Sequence, residues 1–246
     1  MLFCILFFSE CKKENLCDCF KSTGGDITSV RNVPPFHYIH LEGKIDLVLT
    51  QDTVEHVSVV AGGHLIDKIE TSVGHDTLYL RNHNICNFVR GYGRRITVYA
   101  SVQYLRELLY WGAGDVTCTN TLTGLTGTDT IVGVQSFEGS GNVALSVNAK
   151  ASNVTIHTGP PDIHISGSVS GFYVYNTGNG VIHTDEIRAD RIYLTSDCTG
   201  DTYVRSTATT SSYMKVDIHG IGNVYCTGTP ATLLQTQTGS GKLILQ

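Results

Sequence analysis

The chain has little charge, little proline and few helix-forming runs. Asp, Glu, Lys and Arg make up only 16% of it, and Pro occurs 5 times in 246 residues. With an ordinary hydrophobic share of 41%, such a chain is neither disordered nor a coiled coil. Basic residues are outnumbered, 17 against 22, giving a net charge of −5, which argues against a nucleic-acid partner. The 8 cysteines are too few for a disulfide scaffold at this length, and they form no C-x-x-C and no zinc-type spacing. Glycine is abundant, at 26 residues, and Thr, Ser, Val, Ile and Tyr recur throughout. This composition predicts an all-β protein with many turns.

Residues 2–8 are apolar but far too short to span a bilayer as a helix. They fit the end of a signal peptide's apolar region, and the competing reading is a buried N-terminal strand. An apolar run ending in Ser-x-Cys before a polar, charged stretch resembles a bacterial lipoprotein junction. Cys11 would then be the lipidated residue, although Glu10 stands where a small residue is usual. A lipidated cysteine would anchor the chain without a spanning helix. Residues 1–20 are therefore expected to be a signal remnant and tether. The C-x-C of Cys17 and Cys19 belongs to that tether, and the disulfide state of Cys17, Cys19, Cys86 and Cys198 is open.

The second half repeats. The triplets Gly112-Ala113-Gly114, Gly139-Ser140-Gly141, Gly178-Asn179-Gly180, Gly220-Ile221-Gly222 and Gly239-Ser240-Gly241 recur, with Gly159-Pro160-Pro161 and Cys198-Thr199-Gly200 filling the gaps. Their third residues fall at 114, 141, 161, 180, 200, 222 and 241, at intervals of 27, 20, 19, 20, 22 and 19. A sustained period near 20 is the mark of stacked repeats. Apolar or β-branched residues follow two and four places after each triplet, as in Val143 and Leu145, Ile163 and Ile165, or Val224 and Cys226. A second alternating run precedes the next triplet, as in Val154 and Ile156, Phe172 and Val174, or Ile192 and Leu194. These patterns predict a parallel β-helix, or β-solenoid, with coils of about 20 residues stacked about 4.8 Å apart. The glycines would form its corners, through positive φ or close approach to the neighbouring coil. Asp115, Asn142, Asp162, Asp201 and Asn223, just after the corners, suit backbone-bonding turns and would form a structural ladder.

The first half is strand-like without the triplets. Residues 36–41, 45–50, 57–60, 77–80 and 95–99 read as strands, residues 65–69 as a short helical or bent segment, and 82–94 as a loop. Without a Pro- or Ser-rich linker, residues 24–246 are expected to be one domain, with an N-terminal part 24–109 continuous with regular coils 110–246.

The stretch Phe36-x-x-Ile39-x-Leu41-x-Gly43-x-Ile45-Asp46-Leu47-x-Leu49-x-Gln51 resembles the opening of the "putative auto-transporter adhesin, head GIN domain" family. So do Leu65-Ile66-x-x-Ile69-x-Thr71-x-Val73, Thr77-Leu78-x-Leu80, Ile96-x-Val98, Leu105-x-x-Leu108 and the repeated Gly-x-Gly-Asp/Asn-Val corners. The resemblance covers roughly residues 30–246, and residues 17–24 resemble the leader of Bacteroidetes lipoprotein members. It implies a β-helical fold and an envelope location, but no active site.

Little in the pattern points to catalysis. His164 and His183 should face outward about one strand spacing apart, but no further ligand is evident, so they read as a surface pair and no metal or cofactor is expected. A period of 20 excludes nine-residue calcium repeats, and no helix follows the glycines to hold phosphate. The cluster Asp185, Glu186, Arg188, Asp190 and Arg191 reads as a solvated loop. Tyr173, Tyr175, Tyr193, Tyr203, Tyr213 and Tyr225 should lie outward, where tyrosines can cover a glycan or a protein. Trp111, with Tyr110, is a further exposed candidate. The expected function is a non-enzymatic, adhesin-like module of the cell envelope, in outer-membrane lipoprotein form, binding an unknown glycan or protein ligand. It would touch the membrane only through its lipid and could form homo-oligomers. A polysaccharide-acting β-helix enzyme and a self-associating structural module are the alternatives.

Overall fold

A computed structural model describes residues 22–84, 95–125, 131–207 and 212–246. The readings for residues 1–20, including Cys11, Cys17 and Cys19, and for Cys86 and most of the 82–94 loop lie outside the described residues. The described chain is all-β, and its strands join one sheet of mixed parallel and antiparallel pairing. Its helical content is one 3-10 turn, Ile66–Lys68, where a bent segment was expected.

Two columns of parallel strands run through the molecule. In one, Leu47 pairs with Val116, then Val143, Ile163, Ile182, Thr202, Val224 and Leu243. In the other, Ile39 pairs with Leu108, then Val134, Val154, Val174, Leu194 and Val216. Paired residues in the first column differ by 20 (Val143 to Ile163), 19 (Ile163 to Ile182), 20 (Ile182 to Thr202), 22 (Thr202 to Val224) and 19 (Val224 to Leu243). The triplet spacing is thus the spacing of hydrogen-bonded partners.

The N-terminal part differs from simple stacking. Tyr38–Gly43 and Asp46–Gln51 join the columns directly, paired with Glu107–Gly112 and Val116–Cys118. In the intervening chain Thr77–Asn82 pairs parallel with Tyr38–Gly43, and Thr97–Val102 with Asp46–Gln51, so both extend the columns, while the segments between fold back antiparallel. His56–Gly62 pairs antiparallel with Asp26–Arg31 and Thr97–Val102, and Ile69–Gly74 with Thr77–Asn82. His75 and Asp76, with φ of 50° and 65°, form the two-residue hairpin turn of that last pair.

Alternation decides what is buried. Val143, Ile163, Ile182, Val224, Val154, Ile156, Phe172, Met214, Val216 and Ile218 are all fully buried. Each large aliphatic side chain contributes about 1.5–3 kcal/mol on leaving water. Leu243 and Leu245, on the last described strand, are only half-buried and exposed. Polar inward residues find partners where they can: Thr184 Oγ1 donates to the Tyr203 carbonyl at 2.7 Å. Cys118, Cys198 and Cys226 are free thiols, and burial pushes the Cys198 and Cys226 thiols up in pKa.

The corner glycines are required by crowding. None of the residues in the Gly-x-Gly triplets has a positive φ. A Cβ at Gly141 would strike the Gly114 carbonyl oxygen, one at Gly200 that of Gly180, one at Gly222 that of Gly200, and one at Gly241 that of Gly222. Four neighbouring pairs of the residues after the corners form rungs, but their bonds run to the next strand and not to a local turn. Asp46 accepts from the Asp115 amide at 3.0 Å, Asp115 from Asn142 at 3.3 Å, Asp201 from Asn223 at 2.8 Å, and Asn223 from Lys242 at 3.0 Å.

Tyr110 is core and not surface. It is fully buried, and its hydroxyl donates to the Gly114 carbonyl at 2.7 Å and accepts from the Gly141 amide at 2.9 Å.

Two outcomes follow from this packing. Gly200→Ala should cost about 1–3 kcal/mol by overpacking, read as a lower urea midpoint. For Tyr110, burial pushes the phenol up to about 12 from its ordinary 10.0. The fold holds the neutral form, so that stabilisation is whole below about pH 10 and disappears as pH rises through about 12. Tyr110→Phe should flatten the loss of stability across that window, measured by urea melts at stepped alkaline pH.

Candidate functional site

On the strand runs Asp162–Asn176 and Val181–Ser196, the inward Phe172 and Ile192 force Tyr173 and Tyr193 outward. The register places Tyr173 beside Tyr193, and their rings stack 5.2 Å apart, 7° from parallel. Tyr213 lies against Tyr193 at 5.6 Å with a 47° tilt, which opens part of the Tyr193 face. Tyr173 and Tyr175 are 46% and 42% exposed, so this is surface that water must leave when a partner binds.

Two shallow grooves flank the column, and Tyr173 and Tyr193 line both. One also carries Thr155, Tyr175, Thr195, Lys215 and Asp217. The other carries Ile131, Lys150, Ser170 and Arg191. Lys215 Nζ lies 3.0 Å from Asp217 Oδ2. That hydrogen bond holds the Asp217 carboxyl below the usual carboxylate range and the Lys215 ammonium above its own.

Tyr203 is not part of this surface. It belongs to the other strand column, in a continuous ring stack of His164, His183, Tyr203 and Tyr225 with centroid spacings of 4.3, 4.8 and 4.9 Å. Burial pushes the Tyr203 phenol up in pKa. Asp162 sits at the head of this stack. Its Oδ1 is 3.0 Å from His164 Nε2 and 3.4 Å from His183 Nε2. The sequence pattern alone names no third group for the histidine pair, because Asp162 stands in it as a ladder residue. The signal was present: Asp162-x-His164 puts both on one face, and His183 follows 19 residues later, one period on.

Trp111 stands in a third stack, between His40 at 4.4 Å and Phe137 at 4.4 Å, and Phe137 rests on His157 at 4.2 Å. Both faces of the indole are covered, so it is half-buried rather than freely exposed. Burial lowers the His40 pKa there. Tyr173, Tyr175 and Tyr193 are therefore brought together, while Trp111 and Tyr203 stand apart from them. The charged cluster is also placed differently from expectation. Asp185, Glu186, Arg188, Asp190 and Arg191 lie within the strand run Val181–Ser196, and a register shift before Ile187 turns Asp185 and Glu186 toward the pocket beside His164 and His183.

Comparison with solved structures finds a putative adhesin from Bacteroides fragilis with a TM-score of 0.79 at 22% identity, covering 90% of this chain and 97% of that one. A putative lipid binding protein from Parabacteroides distasonis follows at 0.65 and 17%, covering 92% and 98%. A putative adhesin from Parabacteroides merdae matches at 0.60 and 16%, covering 92% and 98%. At these identities the likeness is one of fold. No curated protein matches. Residues 35–230 match the family described as "Putative auto-transporter adhesin, head GIN domain", and the chain belongs to that family.

Proposed function

We propose that the chain is an exported, non-enzymatic, adhesin-like module of the cell envelope that binds an extended glycan along the Tyr173–Tyr193 column. The single observation behind this reading is that column: stacked, exposed phenols between two grooves with charged residues in each. Stacking covers most ring faces and leaves edges and hydroxyls outward, repeated at about the 4.8 Å strand spacing. A chain of sugars, with hydroxyls at regular intervals and apolar C–H patches, suits such a row. Lys215 and Asp217 favour binding over proton transfer. Each holds the other in its charged form, so neither is poised to exchange a proton near neutrality.

The architecture behind this reading is a parallel β-helix with coils of about 20 residues, supported by the offsets of the two strand columns. Attachment would run through a lipid on Cys11, giving an outer-membrane lipoprotein that touches the membrane only there. Among the described residues, no helix is long and apolar enough to cross a membrane.

A glycan array probed with the form lacking residues 1–20 should show saturable binding. The Tyr173→Ala/Tyr193→Ala variant should lose it by about tenfold or more with its melting temperature unchanged. Equal binding by the variant, or a shortened glycan product, would overturn the reading, and capture of a protein instead of a glycan would replace the ligand class. Separately, radioactive palmitate should label the full chain and leave Cys11→Ala unlabelled.

A further inference from the structure

We propose that Asp162, His164 and His183 form a binding site for a divalent transition-metal ion of the Zn2+ class. This goes beyond the binding function above and stands independently of it. Asp162 and His164 are two residues apart on one strand and share its outward face, and the register sets His183 directly beside His164 on the next strand. Their three donor atoms lie within 4.8 Å of one another. A tetrahedral ion with bonds of about 2.0–2.1 Å holds its ligands about 3.3 Å apart. The carboxylate oxygen lies 3.0 and 3.4 Å from the two imidazole nitrogens, close to that edge length.

Asp162, like Asn142 before it, does not accept the amide of the equivalent residue on the next strand; the Asp162 amide itself donates to the Gly141 carbonyl at 3.3 Å. Asp46, Asp115 and Asp201 each accept the amide of the equivalent residue on the next strand. The residue after Asp162 in that series is Val181, whose amide donates instead to the Pro161 carbonyl at 3.0 Å. Asp162 Oδ1 turns toward the histidines, is shut off from solvent, and takes no hydrogen bond. A carboxylate oxygen buried beside two imidazole nitrogens without a donor is matched by a cation that all three can ligate.

The rings stack 7° from parallel, so one must tilt for both lone pairs to converge on an ion. His183 is held by Tyr203 on its far side, whereas His164 pairs with the small Ala144 on the preceding strand and has room to turn. The torsion involved is soft for histidine. Asp185 and Glu186 line the adjoining pocket and would concentrate cations there. Three protein donors leave one tetrahedral position facing the pocket, open to water or to a donor on a bound partner.

The test is Zn2+ titration of the full chain in a Cys17→Ser/Cys19→Ser background, so that those thiols do not compete. One ion per chain is expected, with ring-proton shifts at His164 and His183 by NMR. His164→Ala, His183→Ala and Asp162→Asn should each weaken binding by more than about tenfold. His219→Ala, which breaks another Asp–His pair at 2.6 Å, should leave it unchanged. The His164→Ala and His183→Ala variants should keep their melting temperature in chelator, and should one fail, the near-isosteric Asp162→Asn decides. Equal Zn2+ binding in the His164→Ala/His183→Ala variant, or no binding by the parent chain, would overturn the site.

Discussion

Backbone hydrogen bonding between residues about one repeat apart is the constraint from which the other features of this protein follow. Once Val143 is fixed beside Ile163, and Ile163 beside Ile182, every inward side chain rests on its counterpart in the strand before. No single pair of strands could bury that row, because its apolar edge would face water on both sides. The same register carries the outward residues with it, so a chemical type repeated once per period becomes a continuous strip. The rings of His164, His183, Tyr203 and Tyr225 form such a strip, as do Tyr173 and Tyr193 on the other column.

The surface chemistry therefore reflects alignment more than cavity formation. Each strip is made from side chains that are unexceptional alone and become distinctive by proximity. His40, Trp111, Phe137 and His157 would be scattered aromatics in another fold, yet here they are a closed pile with little ring face to offer. Where a strip is interrupted, the interruption matters most. The ladder gives way to backbone bonds at Asp162 and Val181, whose amides donate to the Gly141 and Pro161 carbonyls, and the Asp162 carboxylate so released lies beside two imidazoles.

Much of the buried side was legible from residue order alone. Period-two alternation identified Val154, Phe172, Ile182 and Val224 as inward, and all are buried. The outward side was harder, since alternation gives a direction without naming neighbours. Tyr110 read as a surface partner of Trp111, but the odd and even positions there send the phenol inward to the Gly114 carbonyl. Asp185 and Glu186 read as loop residues because charge was dense. An extra residue in their strand, visible only as a shifted register, re-aims them. The antiparallel pairs of the first half were illegible for a related reason: strands such as His56–Gly62 and Thr97–Val102 alternate equally well in either direction.

The contact between each corner glycine and the carbonyl of the strand before it also limits how such a protein can change in length. A residue added at Gly200 or Gly222 would move a side chain into a carbonyl that leaves no room for one. Growth or shrinkage by one or two positions is thus disfavoured at the corners, while gain or loss of an entire repeat preserves every such abutment. Lineages carrying this architecture should differ in length by multiples of the repeat, with irregular additions gathered where the chain departs from the columns, as it does between Gln51 and Thr77.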